Sequence, residues 1–166
     1  MNKLIVEALT KDAFSPFGEV IELDGARGML VNAGTALSFR DLARVDVGDE
    51  GGRTSINFLR ASPQAMPLRI SALECHPLGS QAFLPLGDLP FMIVVAAPGP
   101  FDQKTLRAFV TRGRQGVNYR KGVWHHALIC LGAGSEFIVI DRAGEGLNFT
   151  EVTLDQSLLV EHSGTP

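Results

Sequence analysis

Glycine and proline punctuate this chain so evenly that little room is left for a helix of ordinary length. Eighteen glycines and nine prolines are scattered rather than clustered, and they cut the sequence into short apolar runs. Short runs bounded by turn residues are the pattern of strands joined by turns. The runs "KLIVEAL", "EVIEL", "RTSINFLRA", "LRISALECH", "QAFLPL", "PFMIVVAA", "GVWHHALIC", "EFIVIDR" and "LNFTEVTL" all read as strands. "TLRAFVT" joins them, because its β-branched ends favour extended backbone. "TKDAFSPFG" predicts a short helical turn with Thr10 as its N-cap, and "LSFRDLARV" predicts a second brief helix. "DGARG" reads as a turn and "SPQAMP" as a loop. So many short strands in one domain predict an all-β sandwich or barrel with only a few short helices.

Length and charge narrow the function. The 166 residues suit a single domain over 1–166 with a sizeable core, and 45% hydrophobic residues supply it. A net charge of −3 gives no basic footprint for nucleic acid, although one pocket arginine can still take a small anion. "FMIVVAA" is far too short to span a bilayer, so no membrane partner is expected. The N-terminus shows no secretory signal pattern. Cys75 and Cys130 form no CxxC and make a poor disulfide framework, which points to the cytoplasm and to core thiols. The closing "SGTP" is expected to fray, and His162 beside it reads as solvated surface.

The other three histidines fall in the β-rich part. Glu74 and His76 are two apart and share a strand face, with Cys75 on the other. In "GVWHHAL", Val123, His125 and Ala127 share one face, and Trp124, His126 and Leu128 the other. Strand parity therefore aims His125 at the cavity with His76, and turns His126 away. Ser55 and Asn57 alternate onto one face of "RTSINFL", facing either solvent or a polar cavity. Asn118 sits in a glycine-flanked segment where turn chemistry accounts for it. Tyr119, the only tyrosine, either donates a hydroxyl to a site or fills core.

These residues carry a resemblance to the cupin barrels. "ECHPLGSQAFLPLG" resembles the first cupin motif, with Glu74 and His76 at its histidine positions and Gln81 at its glutamate. "RKGVWH" resembles the second, with Gly122 and His125 in register and Arg120 where proline is usual. "HPLGSQAFLPL", "LRAFVTRGRQGVNYRKGVWHHAL" and "FIVIDR" together look like the ureidoglycolate lyase family, as do "LTKDAFSPFGEVIE" and "SINFLRA". The resemblance implies a cupin-like β-barrel of jelly-roll type. It implies a homodimer that splits ureidoglycolate into glyoxylate and urea within allantoin breakdown. For some members of the family it also implies a divalent metal, nickel first, which Glu74, His76, Gln81 and His125 would hold; the same four groups can instead bind substrate directly through hydrogen bonds.

That chemistry can be matched to residue types. Ureidoglycolate carries hydroxyl, carboxylate and a ureido nitrogen on one carbon. Elimination needs a base near the hydroxyl and an acid near the leaving nitrogen, and histidine serves both. His76, His125 and Tyr119 are the catalytic candidates. Gln81, Ser55 and Asn57 suit the ureido group. An arginine fork suits the carboxylate, with Arg107 and Arg40 as candidates and Arg142 a third that can instead pair with Asp141. Without GxGxxG or P-loop sequence, no nucleotide or redox cofactor is expected. Two rivals stay open: a non-catalytic cupin module that binds a small carboxylate, and a metal-dependent cupin isomerase or dioxygenase.

Overall fold

The computed structural model describes residues 3–161; His162 and the terminal "SGTP" lie outside the described residues. The strands in chain order are β1 (Lys3–Leu4), β2 (Val6–Ala8), β3 (Gly18–Ile21), β4 (Gly28–Val31), β5 (Ala36–Phe39), β6 (Arg53–Ala61), β7 (Leu68–Cys75) and β8 (Gln81–Pro85). They continue with β9 (Phe91–Ala96), β10 (Arg107–Val110), β11 (Gly116–Tyr119), β12 (Trp124–His125), β13 (Ile129–Cys130), β14 (Ser135–Ala143) and β15 (Thr150–Val160). The only α-helical turn among the described residues is α1 (Lys11–Phe14), where the Thr10 side chain accepts from the Ala13 N–H as the N-cap reading predicts. Among the described residues no helix is long and apolar enough to cross a membrane.

The large sheet runs β1-β15-β7-β12-β9-β10-β2, with β13 also on β9; the small sheet runs β3-β11-β8-β14-β6. The large sheet nearly closes on itself. β1 pairs with β15 at one end and β2 with β10 at the other, and only Ile5 separates β1 from β2. Leu4 and Val6 pack on the core while Ile5 is exposed, which keeps the N-terminal alternation. The molecule is thus an almost all-β, cupin-like barrel.

β9 explains why "FMIVVA" is a continuous apolar run rather than an alternating one. Phe91, Ile93 and Val95 enter a core shared with the small sheet, whereas Met92, Val94 and Ala96 enter a second core built from the large sheet itself. A strand buried on both faces has no position for a polar side chain. The first core is rich in rings: Phe14 meets Phe109 edge-on at 5.8 Å and Phe91 meets Phe137 at 5.2 Å. Truncating a fully buried ring such as Phe137 costs about 3–5 kcal/mol.

Three local expectations need correction. "LSFRDLARV" forms no helix; its first part is β5, paired with β4 as a separate two-stranded sheet. The β4–β5 pairing satisfies that backbone across strands instead of along a helix. Asn118 is not a turn residue. It lies in β11, buried, and donates to Glu19 Oε2 and to the Arg44 carbonyl, both at 2.9 Å. "GVWHHALIC" is not one strand: it breaks between His125 and Ile129. Trp124 goes to the second core as parity predicts, but Leu128 packs against the first. The face shared by Trp124, His126 and Leu128 therefore does not exist beyond the break.

Candidate active site and metal centre

The site forms where β7 and β12 of the large sheet meet the start of β8 in the small one. Glu74 and His125 stand directly opposite each other. His76 follows the end of β7, and Gln81 opens β8 opposite Tyr119 of β11. Two backbone features hold this arrangement. Gly122 has φ +79°, a conformation that favours glycine, and its N–H donates to the His76 carbonyl at 2.9 Å. Gly18 pairs with Tyr119, and a Cβ there would fall 1.9 Å from the Asn118 oxygen, so only glycine lets β3 approach β11 this closely.

His125 is almost fully buried, and its ring stacks on Tyr119 with centroids 4.5 Å apart and planes 17° from parallel. Its Nδ1 lies 3.0 Å from the Val123 carbonyl. His76 Nδ1 lies 2.7 Å from the Asn148 carbonyl. A carbonyl only accepts, so both rings carry a proton on Nδ1 and turn Nε2 towards Glu74. Neither Nε2 has a hydrogen-bond partner, and the buried Gln81 Oε1 has none either. The ligand atoms of Glu74, His76 and His125 all lie within 4.8 Å of one another.

Glu74 Oε1 approaches His125 Nε2 at 3.5 Å. An acceptor thus faces an acceptor unless a cation stands between them, either a second ring proton or a metal ion. The electrostatics agree. Interaction with His125 holds the Glu74 carboxyl below its ordinary value against the opposing effect of burial, and the charges of His125, His76 and His126 add to it. Burial, together with the Glu74 charge, pushes the Tyr119 phenol far up, so it keeps its proton. Two imidazoles and a carboxylate, with a neutral amide oxygen nearby, are a donor set for nickel, zinc, manganese or iron.

A polar row continues from this cluster along the small sheet. Ser55 faces Asp141 across the β6–β14 pair. The Ser55 hydroxyl donates to Asn57 Oδ1 at 3.2 Å, and Asn57 Nδ2 donates to Asp141 Oδ1 at 3.0 Å. Burial raises the Asp141 carboxyl, while hydrogen bonding from Asn57 and Gln81 and the nearby His76 pull it back down. Glu74, His76, Gln81, His125 and Tyr119 are therefore brought together, with Ser55 and Asn57 joined to them through Asp141.

Arg107 and Arg142 are held by partners outside this cluster. Arg107 shares a cross-strand row with His125, with Val95 between them. Its guanidinium is engaged elsewhere: Nε and Nη2 bind the two oxygens of Glu7, Nη1 donates to the Ala13 carbonyl at 2.9 Å, and the group lies over Phe109. Arg40 follows the end of β5, and its Nε donates to the Ser38 hydroxyl at 3.4 Å. Arg142 does not pair with Asp141; it is buried, and donates to the Asp49 carbonyl at 2.8 Å. His126 keeps to the backbone of its own segment, with Nδ1 2.8 Å from the Ala127 carbonyl.

Two residues of the site escape a reading of the sequence. Asn148 accepts from His76 through its backbone and from the Leu78 N–H through its side chain at 2.9 Å, so it clamps the loop that carries His76. Nothing local in "GEGLNF" marks it. Asp141 had a visible signal, since in "FIVIDR" it alternates with Val139 and Phe137, both buried. A charged residue continuing a buried face marks a cavity.

Residues 1–161 match the family model described as "Ureidoglycolate lyase". The chain is similar to a ureidoglycolate lyase of Burkholderia mallei (strain NCTC 10229), with 54% identity over 158 residues, 95% of this chain and 93% of that protein. A ureidoglycolate lyase of Pseudomonas syringae pv. syringae (strain B728a) is 48% identical over 161 residues, covering 96% and 95% of the two chains. Ureidoglycolate lyase 1 of Rhizobium meliloti (strain 1021) is 46% identical over 159 residues, covering 96% and 94%.

Proposed function

This chain belongs to the ureidoglycolate lyase family, and we propose that it cleaves ureidoglycolate to glyoxylate and urea by elimination at the carbinolamine carbon. The observation that carries the reading is the convergence of Glu74, His76 and His125, with both Nε2 atoms free of hydrogen bonds. In the reaction the hydroxyl proton leaves, its electrons form the aldehyde C=O, and the C–N bond breaks towards nitrogen. A proton returned to that nitrogen completes urea. No electron is lost or gained, so no redox cofactor is called for.

Glu74, His76, Gln81 and His125 would hold a divalent ion, for which nickel is our first choice. Such an ion supplies Lewis acidity, making a bound hydroxyl a better acid. The chain's own groups do the rest. The anchored imidazoles of His76 and His125 offer lone pairs to a proton or a cation in fixed directions. Glu74, held ionised, adds the negative charge that balances a cation. Tyr119 retains its proton and is the hydroxyl donor stacked on His125. The Ser55 hydroxyl oxygen and the second N–H of the Asn57 amide, left over from their bonds to each other and to Asp141, would be the partners of the ureido group.

We further propose a homodimer in the cytoplasm. β6 is an edge strand of the small sheet, and Ile56 and Phe58 on it are exposed. A long apolar edge is normally covered. Free buried Cys75 and Cys130 suit a reducing compartment. Light scattering at micromolar concentration checks the dimer, and a monomer there would count against it. The activity is tested by incubating the protein with ureidoglycolate and assaying glyoxylate, urea and ammonia. Equal release of glyoxylate and urea supports the lyase. Ammonia in place of urea would indicate an amidohydrolase, and no turnover would leave a carboxylate-binding module.

A further inference from the structure

Gln81 presents an amide, whose two ends are opposite in character. One end accepts and the other donates, and a cation tolerates only the first. Something must decide which end faces the Glu74–His76–His125 cluster. Gln81 stands opposite Tyr119, so its side chain shares the face on which Tyr119 stacks against His125. Its oxygen is buried there without a partner. In the β14–β8 ladder Val139 faces Phe83 and Ile140 faces Ala82, which sets Asp141 next along it, beside Gln81 on the same face. Interaction with Gln81 is among the influences that lower the Asp141 carboxyl against burial. A carboxylate oxygen there is an acceptor, so only an NH2 end is favourable against it. Reversing the amide would set oxygen against carboxylate on one side and NH2 against the cluster on the other.

We infer that Asp141 is a positioning residue: by accepting from the Gln81 NH2 it turns the Gln81 oxygen towards Glu74, His76 and His125. The inference rests on the reading of that cluster as a cation site. Ser55 and Asn57 extend the same logic one step back. The Ser55 hydroxyl donates to the Asn57 oxygen, which points the Asn57 NH2 at Asp141 Oδ1. The polarity of the row is thus set in sequence, with Ser55 orienting Asn57, Asn57 bonding Asp141, and Asp141 orienting Gln81. Groups that hold a ligand's orientation from behind commonly matter about 10- to 100-fold in metal affinity.

The test is nickel binding by isothermal titration to the full chain after chelator stripping, for wild type, Asp141→Asn, Gln81→Glu and the double variant Asp141→Asn/Gln81→Glu. Asn at 141 has an NH2 of its own, which favours the reversed Gln81 amide. Asp141→Asn is therefore expected to weaken nickel binding by about 10- to 100-fold. Glu at 81 has an oxygen at both ends and cannot be reversed. Because the carboxylate introduced at 81 strengthens nickel binding by its own charge, the double variant is read against Gln81→Glu alone. A positioning role predicts that Asp141→Asn costs little in that background, and a merely structural role predicts that it costs as much as in wild type. Wild-type affinity in Asp141→Asn, or an equal loss when Asp141→Asn is added to Gln81→Glu, would overturn the positioning role while leaving the metal site standing. Absence of nickel binding in wild type would instead remove the metal site and the inference with it. A measurement without variants guards against failure to fold. In metal-free wild type the Gln81 side-chain NH2 protons, followed by NMR, should be protected from solvent exchange, and rapid exchange would also overturn the assignment.

Discussion

Glu74 and His125 face each other across the β7–β12 pair, with Oε1 of one 3.5 Å from Nε2 of the other. The Nδ1 proton of His125 is already committed to the Val123 carbonyl. The space between the two side chains is therefore a place for a cation, and most of what can be tested about this protein follows from it.

His125→Ala should lower kcat/KM for ureidoglycolate by about 10²–10⁴-fold, the usual range for losing a positioned acid–base group. His126→Ala should stay close to wild type in turnover, with a stability change within about 0.5 kcal/mol, since its ring bonds only to the adjacent backbone. Steady-state kinetics on both folded variants decides it. Full activity in His125→Ala, with loss confined to His126→Ala, would overturn the site.

Tyr119→Phe separates ring from hydroxyl. The stacking on His125 survives, because phenylalanine fills the same space. If the hydroxyl is a donor in the reaction, kcat should fall by about 10²-fold with the melting temperature nearly kept. An unchanged kcat would reduce Tyr119 to a packing surface for the imidazole.

Chelator treatment should cut turnover, and added nickel should restore it, with near one-to-one metal content by mass spectrometry in the active protein. Turnover that survives exhaustive chelation with no metal retained would assign Glu74, His76 and His125 to direct contact with substrate.

Acid stability should depend on the Glu7–Arg107 pair. Hydrogen bonding from Arg107, aided by its charge and opposed by slight burial, holds the Glu7 carboxyl below its ordinary value. On acidification the unfolded chain therefore takes up this proton before the folded one does. The pair's contribution is complete above the unfolded pKa, about 4.3, and is lost as pH falls through the folded value. With side chains 34% and 43% exposed, solvent screening limits it to about 1 kcal/mol or less. Glu7→Gln should thus melt slightly below wild type at pH 7, and the gap should close as the pH falls through the lowered folded value of Glu7. Arg107→Gln should leave KM unchanged, because its guanidinium is tied to Glu7 and Ala13. A large rise in KM would return Arg107 to the substrate carboxylate.

The parity argument for the two histidines shows how far local pattern reaches. "GVWH" alternates as a strand, so Val123 and His125 enter one core and Trp124 the other. Past His125 the ladder ends, and alternation no longer predicts where Leu128 points. "RTSINFLRA" was legible to its ends as β6, because the run is bounded by the glycine pair before it and by "SPQAMP" after it. "LSFRDLARV" misled because its helical spacing carries no knowledge of the neighbouring β4 that pairs with it.

Residue order alone determined the many short strands, the capped turn at Thr10, the shared face of Glu74 and His76, and the direction of His125. All of these depend on backbone periodicity and on residues within a few positions of one another. Only the tertiary structure decided that Arg107 belongs to Glu7, 100 positions away, that Asn148 clamps His76 from 72 positions away, and that Asp141 meets Asn57 across 84. Those partners are chosen by strand pairing and chain closure. A guanidinium, a carbonyl or a carboxylate bonds to whichever group the folded sheets place within reach, and no local pattern encodes that group.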